Sequence, residues 1–132
     1  MIKQDYLIRM IQDILALLVN VLLNKKKLRE QEWSEYDHLT TRILGCSTEE
    51  LLHADASTLI KKYTDEDNSF EKLELAAVYQ LKLAEGLRDD SLVYRAKLKE
   101  EALQILKYIQ KEGNTFSLTR VQLINSLEKD IR

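Results

Sequence analysis

Apolar residues crowd the segment from Tyr6 to Leu23, broken by Arg9, Gln12, Asp13 and Asn20. From Ile14 to Leu23 Asn20 is the sole polar residue, and the run ends at Asn24 and three lysines. Arg9, Asp13, Ala16 and Asn20 follow one another at steps of 4, 3 and 4. On a helix that spacing makes one narrow stripe, continued by Asn24 and Lys27. The rest of the circumference is apolar and includes Leu15, Leu17, Leu18 and Leu22. A surface helix ordinarily buries an arc of about 100° or a little more. The pattern therefore predicts a central helix within residues 1–27, or one that other chains also cover. Acids early and lysines late suit the helix dipole.

Two other readings of this segment fit less well. A signal peptide needs a small-residue cleavage site after its apolar run, and this run ends in Asn-Lys-Lys-Lys. A membrane span needs about 20 predominantly apolar residues. Tyr6 to Leu23 falls short of that and contains Arg9 and Asp13, each costing roughly 2.5–3.5 kcal/mol near a bilayer centre.

Helical periodicity continues down the chain. Trp33, Tyr36, Leu39 and Ile43 form a stripe within a predicted helix from Leu28 to Leu44, ended by Gly45. Ser47 with Glu50 reads as a capping box opening a short helix from Thr48 to Ala54. Asp55 or Ser57 caps another short helix through Tyr63. An acidic loop from Thr64 to Asn68 follows, and Asn68 with Glu71 is a second capping-box pattern. Long helices are predicted from Ser69 to Leu87 and from Ser91 to Glu112, with a tight turn at Arg88-Asp89-Asp90. Gly113-Asn114 stops the second, and Ser117 caps a last helix carrying Leu118, Val121, Ile124, Leu127 and Ile131. No segment alternates with period 2, so no strand is predicted.

The expected fold is a single all-α domain of about five to seven helices, sequential ones antiparallel. It divides into a long apolar helix (1–27), short helices and a loop (28–67), and a C-terminal helical set (68–132). Small residues at Ala77, Ala84, Gly86, Ala96 and Ala102 let the two long helices approach, as in a tetratricopeptide-like hairpin, although the 34-residue repeat signature is not repeated.

Composition narrows the classes. There is no proline and only 3 glycines, which favours long uninterrupted helices. The formal net charge of −2 gives no electrostatic footprint for nucleic acid. The single cysteine, Cys46, forms no internal disulfide and fits a reducing, cytoplasmic compartment.

Gln4 to Ile11, then Ile43-Leu44-Gly45 with Ser47-Thr48-Glu49-Glu50-Leu51-Leu52, then the long hairpin, resemble a family of small bacterial proteins catalogued only as a domain of unknown function. The resemblance implies an all-helical bacterial protein, tetratricopeptide-like in its C-terminal part. It carries no catalytic residues with it.

Candidate chemistry is sparse. Both histidines stand three residues after a glutamate, as Glu35/His38 and Glu50/His53. Paired Glu-x-x-His sequences build di-iron sites in four-helix bundles. Here a turn separates them, the second falls in a very short helix, and Glu50 already has a capping role. Cys46 follows Gly45 near a helix start, where a thiol can be activated, but no base is placed to serve it. Lys25, Lys26, Lys27 and Arg29 could touch lipid headgroups, though they also complete the first helix's dipole. Tyr79, Tyr94 and Tyr108 fall on the two long helices, where they would line a groove or sit half-buried.

The expectation is a non-enzymatic, cofactor-free module that binds another protein or itself. Its interaction residues would be Leu15, Leu17, Leu18, Leu22, Tyr79, Tyr94 and Tyr108, with a homodimer through the first helix as the specific form. A peripheral membrane adaptor and a metal-dependent enzyme on the Glu-x-x-His pairs are the alternatives.

Overall fold

A computed structural model describes residues 4–25, 27–87 and 91–131. Lys26 and the turn expected at Arg88-Asp89-Asp90 lie outside the described residues, as do the side chains of Gln4, Asp5 and Ile131. Among the described residues there are seven helices and no strand: α1 (Gln4–Asn24), α2 (Glu30–Leu44), α3 (Thr48–His53), α4 (Ala56–Tyr63), α5 (Ser69–Glu85), α6 (Leu92–Glu112) and α7 (Leu118–Ile131).

Local chemistry sets the ends. Gly45 takes a left-handed conformation at φ 67° and donates its N–H to the Thr41 carbonyl, closing α2. Ser47 and Glu50 complete the reciprocal capping box of α3, at 3.1 and 3.2 Å. Asp55, rather than Ser57, caps α4 by accepting from the Thr58 N–H. Ser117 caps α7 through the Arg120 N–H. The second capping box does not form. Asn68 is left-handed at φ 59°, where a cap needs extended backbone, and its side chain makes no cap hydrogen bond; its carbonyl accepts from the Lys72 N–H.

The centre of the molecule is α5, not α1. Leu73, every residue from Leu75 to Leu81, and Ala84 are buried on α5. α1, α2, α3, α4 and α6 all pack on it, and its hairpin with α6 is the largest contact in the fold. Ala76, Ala77 and Ala84 make this crowding possible, because short side chains let neighbouring helices come close on several sides. The expectation of a central first helix is thus corrected. α1 packs on α5 through one stripe, Ile11, Ile14, Leu18 and Leu22, at the i, i+3, i+7, i+11 spacing of a single contact line.

The direction of α1 follows from its end. Lys25 Nζ lies 3.6 Å from Glu85, so the C-terminal ends of α1 and α5 meet and the two helices run parallel. α7 returns along α6, with Lys107 paired to Glu128 and Lys99 to Asp130. The α5–α6 pair therefore carries α1 and α7 side by side, while α2, α3 and α4 pack elsewhere around the same pair.

Candidate functional site

Most of the stripe read from the sequence faces solvent: Arg9, Asp13, Ala16, Asn24 and Lys27 are exposed, as is Gln12 beside it, while Asn20 is half-buried. Between this polar back and the buried line lie two apolar shoulders. Leu15 and Val19 form one, Leu17 and Val21 the other, and all four are half-buried. Each shoulder overhangs an open cleft. Val21 borders one of about 500 Å³ toward α2, with Trp33, Lys82, Lys25 and Lys27. Leu15 and Val19 border a larger one of about 680 Å³ between α1 and the start of α7.

The larger cleft has an apolar wall and a polar floor. Glu71 and Glu74, on the first turns of α5, line its base beside Arg120. Arg120 is 3 % exposed and fully engaged. Its Nε and Nη2 grip the two carboxylate oxygens of Glu74 at 3.1 and 3.2 Å, and Nη1 donates to Gln110 and to the Thr115 carbonyl. This bidentate clamp ties α7 and the 113–117 loop to α5 and fixes the far lip of the cleft. On that lip stands Phe116, 76 % exposed. An apolar residue just before a helix cap usually folds back on the helix's first turn. Phe116 does not, so its ring stays in water.

The residues marked in the sequence separate. Leu18 and Leu22 are core side chains turned to α5, because they fall on the contact line and not on a shoulder. Tyr79 is wholly buried. It stacks on Trp33 at 5.9 Å, and its hydroxyl is 3.2 Å from Thr48 Oγ1, so it lines no open groove. Tyr94 donates to the Leu52 carbonyl and lies 2.8 Å from His53 Nδ1, tying α6 to the end of α3. Tyr108 packs near Phe70, on another part of the hairpin. The three tyrosines do not share one groove. Leu15 and Leu17 keep the exposure a surface contact needs.

The Glu-x-x-His residues are used locally. Glu50 is held in the α3 capping box and His53 against Tyr94, while Glu35 and His38 are exposed on α2. Among the described residues no three His, Cys, Asp or Glu side chains gather as metal ligands do. Cys46 is buried, 3.5 Å from the hydroxyl of Tyr63, which donates to the Leu44 carbonyl at 2.5 Å. Burial, and then the hydrogen bond with Cys46, push the Tyr63 phenol well above its ordinary value.

Sequence reasoning passed over Val19, Glu74, Phe116 and Arg120 as site residues. One pattern pointed the wrong way: Phe116 before the Ser117 cap, with Val121 at the fourth helical position, spells a hydrophobic staple, yet the Phe116 ring is exposed. The pair of Glu74 with Arg120 lies 46 residues apart and is visible only in the fold. The geometry defines an all-helical domain with an open cleft that has an apolar wall and a polar floor. Compared with family models, curated proteins and solved structures, the chain matches none. The α5–α6 hairpin has no matched tetratricopeptide counterpart.

Proposed function

We propose that this protein works by binding protein chains, its own or another's, through the cleft between α1 and α7, and that it catalyses no reaction. The observation that carries the reading is the unequal burial of α1. Its contact line is core, yet the Leu15–Val19 shoulder stays open beside an exposed Phe116. An open cleft with an apolar wall and an exposed aromatic side chain on its lip suits a protein-binding surface. The test is a photoreactive side chain placed at Val19 in living cells, with Ser57 as the control position. Covalent adducts formed through position 19 and not through 57 are the expected result. Equal or absent labelling at both would overturn the reading.

A membrane reading has one observation in its favour. The segment judged too short from the sequence extends as a helix to Asn24, and by length and composition Tyr6–Asn24 is enough to cross a bilayer, with only 22 % of its most apolar window buried. Against it stands the polar back of α1, which any flat surface laid on this helix would meet first. Flotation with anionic vesicles at low salt separates the two, and protein that stays at the bottom of the gradient removes the membrane reading.

A further inference from the structure

We infer that the occupant of the α1–α7 cleft is a segment of another protein that presents a lysine or arginine beside a large apolar side chain. The inference rests on the cleft being the binding surface proposed above and names the chemistry of its partner. Charge argues for the cation. Among the described residues the charged side chains lining the cleft are Glu71, Glu74 and Arg120. Arg120 and Glu74 cancel each other in the buried clamp. Lys72, next along the chain, is taken by Glu66 at 2.7 Å. The half-buried Glu71 carboxylate is left with no hydrogen bond or ion pair among the described residues, so the floor carries one uncompensated negative charge. The α5 dipole favours an acid in this first turn without supplying a counter-ion. A half-buried charge draws its complement more strongly than an exposed one, because less water screens it.

Shape argues for a chain segment and for the apolar neighbour. The lining follows α1 from Ile11 to Asn24, about 20 Å at the rise of a helix. That length takes roughly six extended residues or about thirteen helical ones, whereas a small amine would cover only one end of it. Leu15 and Val19 on the wall and Phe116 on the lip are the large apolar surface beside the Glu71 floor. Neither the lone carboxylate nor the short apolar wall suffices alone. Binding therefore needs both at once, which selects for a basic and an apolar side chain carried together.

Panning the full chain against a displayed library of random peptides about twelve residues long, enough to span the cleft as a helix, tests this. The expected result is enrichment of sequences that place Lys or Arg beside an aliphatic or aromatic residue. A synthetic copy of one enriched peptide should bind Glu71→Gln at least about fivefold more weakly than wild type, and added salt should weaken its binding to wild type more than to Glu71→Gln. Glu71→Lys should reject that peptide and accept a version whose cation is replaced by glutamate. Phe116→Ala should also bind the peptide at least about fivefold more weakly, with an unchanged thermal melt because the ring is exposed. Enriched peptides without a basic residue, or no enrichment at all, would overturn the inference, as would a peptide that binds Glu71→Gln like wild type. A loss on Phe116→Ala with none on Glu71→Gln would remove the basic segment and leave the cleft as the binding surface. No loss on either, with equal labelling at positions 19 and 57, would remove both. A free chain that dimerises in sedimentation, and that Phe116→Ala returns to monomer, would make a second copy the occupant instead.

Discussion

α1 and α5 are two helices with similar apolar coverage and opposite surroundings. Five helices pack on α5, and nearly all its middle is buried. α1 buries one line fully and leaves two shoulders half-covered. The difference lies in side-chain size. α5 alternates leucines with Ala76, Ala77 and Ala84, so neighbours can close in on it from several directions. α1 carries large side chains nearly all round, and its one alanine, Ala16, sits on the wet stripe. Apolar coverage says how much of a helix prefers to leave water; small residues say from how many sides it can.

The largest expected effect tests the contact line of α1. Leu18→Glu places a carboxylate in a fully buried site and should remove more than about 4 kcal/mol, unfolding the domain or detaching α1. Leu17→Glu, one residue away on a shoulder, should cost less than about 1.5 kcal/mol, since its carboxylate can reach water. Thermal melts followed by circular dichroism measure both, and similar losses would contradict the single-line packing of α1.

A smaller effect lies on α5. Glu74→Ala strands the Arg120 guanidinium in a buried site and should cost about 3–5 kcal/mol. Replacing both together, Glu74→Leu with Arg120→Met, should recover most of that. Denaturant titration of the single and double variants reads the difference, and a double variant no better than the single would mean the clamp is not the source of the loss.

The smallest concerns the floor under α2. Tyr63→Phe removes the donor to the Leu44 carbonyl and should cost about 1–2 kcal/mol. The sign of its pH dependence follows from the raised phenol. The fold favours the protonated form, so this contribution is whole below about pH 10, the ordinary tyrosine value, and declines as pH rises beyond it. Wild type should therefore lose stability above that pH more steeply than Tyr63→Phe. Parallel slopes would show that Tyr63 is not the group responsible.

Much of the fold was legible in the chain. The polar stripe of α1 was read at exposed residues except for half-buried Asn20, and Gly45, Ser47 and one of the two candidates Asp55 and Ser57 marked helix ends through chemistry that acts within four residues. What acts at long range was not legible. Glu74 meets Arg120, and Gln80 donates to the Leu51 and Ala54 carbonyls to close the end of α3, across separations that no periodic pattern encodes. The cleft was only partly legible: Leu15 was marked, but so were Leu17, which lines neither cleft, and the core residues Leu18 and Leu22, because a helix apolar on nearly every side does not say which side meets the core. The Asn68–Glu71 pattern misled because a capping box needs an extended backbone at the cap, and Asn68 is left-handed.

The parallel packing of α1 on α5 has a consequence during synthesis. Leu18 leaves the ribosome before the stretch from Leu73 to Ala84, the α5 surface that covers its line, has been translated. At roughly 5–20 residues per second, that interval lasts about 3–13 seconds. For those seconds α1 is an apolar segment with no docking site of its own chain, open to any chaperone that binds leucine-rich stretches. α5 waits far less, since α4, already made, is its immediate neighbour and α6 follows directly. The helix left half-covered in the finished molecule is thus also the one exposed longest on the way to it.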